Sequence, residues 1–98
     1  MRRGELWTYT PHGSLRRRTV VLISSDGIND SSRPWLIGAE VVEDDPHDIL
    51  AVPVREHGWA HAGNIGRVFR GWLAERVDVV DTGTLDRLDT ALRAAMDL

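Results

Sequence analysis

Arg16-Arg17-Arg18-Thr19-Val20-Val21-Leu22-Ile23-Ser24-Ser25-Asp26 sets three consecutive arginines against the start of an apolar run. The run, over 18–24, reads as a strand buried on both faces, and the charge at its mouth suits a phosphate-binding loop. Upstream, Glu5-Leu6-Trp7-Thr8-Tyr9-Thr10 alternates Leu6, Thr8 and Thr10 with Glu5, Trp7 and Tyr9. The turn-rich Pro11-His12-Gly13-Ser14 joins the two runs, and with Arg2-Arg3 ahead of the first, five arginines lie on or beside one hairpin. Downstream, Ser25–Ser32 reads as a loop. Strand-like runs follow at 35–42, 49–54, 65–69 and 74–80, separated by Asp44-Asp45-Pro46-His47-Asp48 and by a glycine-rich segment over 56–63. Short strands with frequent turns predict a small barrel. At the C-terminus Leu85, Leu88, Leu92 and Met96 recur at helical spacing behind Thr84 as N-cap, which predicts one amphipathic helix packed on the barrel.

The 98 residues, 42% hydrophobic, suit a single domain spanning 1–98 with a modest core. There is no cysteine, hence no disulfide and no thiolate metal site. The N-terminus lacks an apolar signal segment and no run is long enough to span a membrane, so a soluble, cytoplasmic protein is expected. All twelve basic residues are arginine. The net charge of −3 excludes a uniformly basic nucleic-acid binder, but charge is segregated. Residues 1–18 hold five arginines against Glu5, whereas 40–54 hold Glu40, Glu43, Asp44, Asp45 and Asp48 and no arginine. A local basic face survives net acidity, and the acidic run is expected to lie away from the path of any nucleic acid bound there.

Met1-Arg2-Arg3-Gly4-Glu5-Leu6-Trp7, followed by Arg18-Thr19-Val20-Val21-Leu22-Ile23-Ser24-Ser25-Asp26, resembles the R-R-G-E-I-W and R-P-V-L-V-V-S-S-D opening of MazF/PemK-type toxins of type II toxin–antitoxin systems. Thr82-Gly83-Thr84-Leu85 and Leu88-Asp89-Thr90-Ala91-Leu92-Arg93 resemble the C-terminal helix of that family. The resemblance implies a mainly β fold with a C-terminal α-helix, a small β-barrel of the MazF/CcdB kind. It also implies a homodimeric endoribonuclease, an mRNA interferase that cleaves single-stranded RNA without metal or other cofactor and is neutralised by a cognate antitoxin. The 2′-hydroxyl would attack its own phosphate, which needs a base, an acid and cations for the phosphorane charge. Arg18 occupies the active-site arginine of the family. His12, six residues earlier, has the spacing of a loop histidine that carries a proton in the PemK branch. Arg70 matches the arginine of a later R-x-D triplet and would clamp phosphate, while Arg16 and Arg17 would steer the RNA backbone.

The chain departs from the family pattern at several points. Thr19 replaces a proline, the segment between Val80 and Gly83 is shortened, and Trp72 stands where the triplet has its carboxylate. The family's strand-closing Ser/Thr falls near Val42 when spacing from Arg18 is kept, or at Arg55 when Val52-Pro53-Val54 is the anchor; neither is a hydroxyl. Glu43, Glu56 and His57 are the substitutes nearest these positions. Among Trp7, Trp35, Trp59 and Trp72, Trp59 is the best candidate for stacking on an RNA base because its neighbours read as loop, whereas Trp7 and Trp35 fit barrel positions.

His57 and His61 are four apart, but Gly58 and Gly63 argue against the helix a zinc pair needs, so no metal site is expected. Gly63-Asn64-Ile65-Gly66 lacks the Gly-Lys-Ser/Thr of a phosphate loop, and the Asn29-Asp30-Ser31 sequon has no secretory context. The missing hydroxyl and carboxylate favour a rival reading, a catalytically degenerate barrel that binds RNA, an antitoxin or another protein without cutting. A gyrase-directed variant like CcdB is the weaker form, since the chain finishes Ala95-Met96-Asp97-Leu98 without the aromatic-rich end of those proteins.

Overall fold

The computed structural model describes residues 1–11, 13 and 16–97; His12 lies outside the described residues. Strands β1 (Glu5–Tyr9) and β2 (Arg18–Leu22) form the expected hairpin, with Leu6 opposite Val21 and Tyr9 opposite Arg18. A short helix α1 (Asp26–Asn29) follows, then β3 (Trp35–Val42), β4 (Ala51–Val54), β5 (Gly58–Phe69), a 3₁₀ turn at Arg70–Trp72, β6 (Leu73–Val79) and the helix α2 (Thr82–Met96). All pairings are antiparallel, and the strand order is β4-β5-β3-β2-β1-β6.

The mainly β fold with a C-terminal helix is as expected, with one difference in closure. β4 and β6 are the two edges and share no ladder, so the sheet is curled but open. A side-chain contact reaches across the gap: His57 Nε2, from the β4–β5 turn, lies 2.9 Å from Asp78 Oδ2 on β6.

Alternation gives the sheet two buried faces. Leu6, Val21, Ala39, Val41, Ala60 and Ala62 pack against Leu88, Ala91 and Leu92 of α2. Tyr9, Val20 and Val68 pack on the other face with Trp7, Trp72 and Leu73. Ala39, Ala60 and Ala62 keep the first face low enough for the helix to approach the sheet.

The glycine-rich segment is not the loop its composition predicts. β5 is one long strand whose first half pairs with both β4 and the end of β3, while its second half pairs with the start of β3. A register shift between Ala39 and Val41 accommodates the excess length. Weak strand formers are held there by ladders on both sides and by the need for small residues beneath α2.

Two helix ends also differ from expectation. Asp81, rather than Thr84, is the N-cap of α2 and accepts a 2.7 Å hydrogen bond from the Thr84 amide; Thr84 itself is buried one turn in. Within the expected 25–32 loop, the Ser25 hydroxyl caps α1 by accepting from the Ile28 amide. Asn29 is buried there, donating to the Ser24 carbonyl at 3.0 Å. Among the described residues no helix is long and apolar enough to cross a membrane.

Glu5 is almost fully buried and anchors the far end of the hairpin. Burial alone would raise its pKa. Its carboxylate instead accepts from the Arg2 amide at 3.0 Å, Trp7 Nε1 at 3.0 Å and Arg76 Nη1 at 3.2 Å, and together these hold it below its ordinary 4.5. A depressed pKa stabilises the fold above the unfolded-state value, and that stability is lost as pH falls through the folded-state value. Glu5→Gln is therefore expected to cost about 1–2 kcal/mol at neutral pH. The gap to wild type should narrow on acidification below 4.5. Urea titrations at neutral and acid pH check this, and a gap that does not change with pH would refute it.

Candidate functional site

Antiparallel pairing divides the arginines of the hairpin between its two ends. Arg3, before β1, donates from Nε to the Ile23 carbonyl at 3.0 Å and from both terminal nitrogens to Asp89 of α2, while its amide donates to Asp26 at 2.7 Å. Arg2 Nη1 is 3.4 Å from Asp26 Oδ2. These two residues tie the N-terminus to both helices and belong to the fold.

Arg16, Arg17 and Arg18 are exposed at the other end, where they line an open cleft of about 890 Å³. Thr19 pairs with Val41, so Arg18 at the start of β2 faces the Val42 end of β3, and Val42 lines the same cleft. Of the two placements for the missing hydroxyl, the one at Val42 is therefore beside the arginines. The other, at Arg55, does not line the cleft.

Glu43, Glu56 and His57 all line the cleft, which brings the substitutes proposed from sequence together with Arg18. A tight turn positions the last two: the His57 amide donates to the Val54 carbonyl at 3.0 Å, with Glu56 at φ 68° and Gly58 at φ 117°. The Asp78 carboxyl is held below the ordinary carboxylate range, first by its hydrogen bond with His57 and then by the Val79 amide at 2.8 Å. An ionised carboxylate only accepts hydrogen bonds, so Nε2 carries the proton of a neutral His57 and Nδ1 keeps a lone pair.

The expectation for the acidic run is corrected. Glu40, Glu43 and Asp44 line the arginine cleft instead of lying away from it, because antiparallel pairing brings the end of β3 beside the start of β2. Glu40 accepts from Asn64 Nδ2 at 2.8 Å. Asp48 instead accepts from the Leu50 amide at 2.8 Å and lies 3.2 Å from His61 Nε2. Arg18 and Glu40 also border an adjoining hollow of about 120 Å³ beside Tyr9 and Gly66.

Arg70 is not brought to the cleft. Its Nε donates to the Arg33 carbonyl at 3.0 Å, Nη1 to the Asn29 carbonyl at 3.0 Å and Nη2 to the Ser31 carbonyl at 3.1 Å. A guanidinium used this way fastens the segment between α1 and β3 and has little left for phosphate. Trp72, in place of the expected carboxylate, packs edge-on to Trp35, with ring centroids 6.0 Å apart, and against Phe69 at 5.6 Å. Arg70→Ala is expected to cost about 2–3 kcal/mol through the orphaned carbonyls, and lysine, lacking the planar fork, should not restore it. Chemical denaturation tests this; unchanged stability would contradict it.

Trp59 sits within β5, not in a loop; it pairs with Val42 and Pro53, is half-buried and does not line the cleft. Sequence reasoning missed Asp78, which enters through a curl of the sheet that no local pattern encodes, and Gly58, whose role is one of backbone clearance.

No family model and no curated protein matches the chain. Solved structures do. An endoribonuclease in complex with its cognate antitoxin, from a mycobacterial species, superposes with a TM-score of 0.89 at 17% identity over 100% of this chain and 96% of that one. MazF from Deinococcus radiodurans gives 0.84 at 14% identity, over 100% and 97%. The Mycobacterium tuberculosis toxin MazF-mt6 gives 0.79 at 11% identity, over 96% and 97%. With likeness along nearly the whole of each chain, the protein has the fold of the MazF endoribonuclease toxins.

Proposed function

We propose that the protein is an endoribonuclease toxin of the MazF type, cleaving single-stranded RNA without a metal. The observation that carries this reading is the placement of Arg16, Arg17 and Arg18 in one cleft, at the mouth of β2, within a fold shared with MazF endoribonucleases. A guanidinium is a poor proton donor and acceptor, so the role of Arg18 is electrostatic stabilisation of the phosphorane rather than proton transfer. Arg16 and Arg17 supply attraction for the RNA backbone. The spacing of His12 from Arg18 suits it to deliver a proton, through water, to the leaving 5′-oxygen. Arg70 is left out of the mechanism.

The mycobacterial endoribonuclease was solved with its antitoxin, which supports a small antitoxin as partner here. A homodimer acting in the cytoplasm completes the reading. Val42 and Trp72, in place of hydroxyl and carboxylate, favour a second reading, in which the cleft binds RNA or a protein without cutting.

Digestion of a defined RNA in EDTA, with end mapping, separates the two. Fragments with a 5′-hydroxyl and a 2′,3′-cyclic phosphate are expected. Intact RNA with well-folded protein would overturn cleavage and leave the binding reading.

A further inference from the structure

We infer that His57 is the general base for the 2′-hydroxyl and that Asp78 is its positioning residue, a pair standing in for the hydroxyl absent at Val42. The inference rests on the RNA-cleavage reading. Its geometry is independent of the resemblance, which assigns no role to Asp78.

A base must share the cleft with the phosphate-binding arginine, and His57 does. It must also present a lone pair, and the 2.9 Å contact of Nε2 with Asp78 Oδ2 leaves that lone pair on Nδ1. Its backbone must be fixed, and the Val54–His57 turn with Gly58 at φ 117° provides this. The His57 side chain is only 25% exposed, so the ring is restrained yet reachable. Among the described residues of the cleft, the groups other than the arginines that could take up a proton are the carboxylates of Glu40, Glu43, Asp44 and Glu56. An imidazole is a stronger base than a solvated carboxylate, and in its neutral form it does not repel the approaching phosphate.

The step balances without a further reagent. The 2′-O–H bond breaks, the proton goes to His57 Nδ1, and the oxygen's electron pair forms the new 2′-O–P bond. The P–O5′ bond breaks with its electron pair on the 5′-oxygen, which takes a proton from water. Arg18 stabilises the charge on the non-bridging oxygens, and the imidazolium formed is held by the Asp78 carboxylate until it returns its proton to solvent. The products are a 2′,3′-cyclic phosphate and a 5′-hydroxyl.

The test compares wild type, His57→Ala, Asp78→Asn and the double variant on an RNA oligonucleotide. Far-UV circular dichroism and binding of the 2′-deoxy analogue serve as controls. His57→Ala should lose about 10²–10⁴-fold in kcat with analogue binding unchanged, and added imidazole should restore part of the rate. Asp78→Asn should lower kcat but not raise KM, and should slow His57→Ala no further, because it acts only through His57. If wild type cleaves while His57→Ala stays within threefold of it, the base assignment falls and cleavage stands. If His57→Ala is slow but unrescued, or has lost its fold or analogue binding, the pair is a structural tie across the open sheet and the assignment also falls. If wild type itself leaves the RNA intact, the cleavage reading fails and takes the base with it.

Discussion

Arg18→Ala is expected to slow RNA cleavage by about 10²–10³-fold while leaving the fold intact, the size of effect seen when one preorganised donor to a developing oxyanion is removed. The separation of the two effects follows from position. Arg18 is exposed at the first residue of β2, beyond the buried stretch Val20–Leu22 that packs in the sheet. Its backbone pairing with Tyr9 does not depend on the side chain. Lysine at this position should recover only part of the rate, since an ammonium is a point charge and lacks the planar pair of donors that matches two phosphate oxygens. Affinity should also become less dependent on salt, by about 0.7 in the log–log slope for each phosphate of the single strand that is no longer neutralised. Single-turnover cleavage, thermal melts and salt titration read the three quantities. A rate within threefold of wild type, or a melting temperature several degrees lower, would refute the assignment.

Gly58→Ala is expected to produce the largest loss of stability. Gly58 has φ +117°, and a Cβ built there would lie 2.0 Å from the Val42 carbonyl oxygen and 2.9 Å from its carbonyl carbon. Both obstacles are backbone, so no rotamer change relieves them; the β4–β5 turn must move away from β3. Strain and weakened strand pairing together should cost about 3–4 kcal/mol, which in a domain of this size lowers the melting temperature by about 12–25 °C. The same displacement would carry His57 away from Arg18, so activity should fall even at temperatures where the variant remains folded. Calorimetry and cleavage at low temperature measure the two effects. A melting temperature within a few degrees of wild type would show that the turn does not approach β3 this closely.

The strands that the sequence predicts well are those where local pattern and tertiary demand agree. β3 falls at the expected 35–42. β1, β2 and β6 begin or end within two residues of expectation because each is bounded by charge or turn residues. β5 was legible only in its second half. Gly58, Ala60, Ala62 and Gly63 carry no strand signal by themselves, and are held extended by neighbours on both sides that only the topology supplies.

Site residues divide in the same way. The arginine triplet, Glu43, Glu56 and His57 could be named as candidates from the sequence under two alternative registers, and the antiparallel ladder brings them to one cleft. Arg70 could not be read correctly, since a lone arginine beside aromatics looks the same whether it faces phosphate or the carbonyls of Arg33, Asn29 and Ser31. Asp78 was invisible because its meeting with His57 depends on how far a six-stranded sheet curls.

The division of arginines between the two ends of the hairpin has a consequence for inheritance. Arg3 at one end grips Ile23, Asp26 and Asp89, whereas Arg17 and Arg18 at the other line an open cleft. A mutation at Arg17 or Arg18 therefore leaves a protein that still folds and is spared the quality control that removes unfolded chains. One at Arg3 reduces abundance before it touches chemistry. If the proposed activity were under pressure to be lost, lineages would thus accumulate lesions at the cleft end and keep a folded copy with Arg3 unchanged.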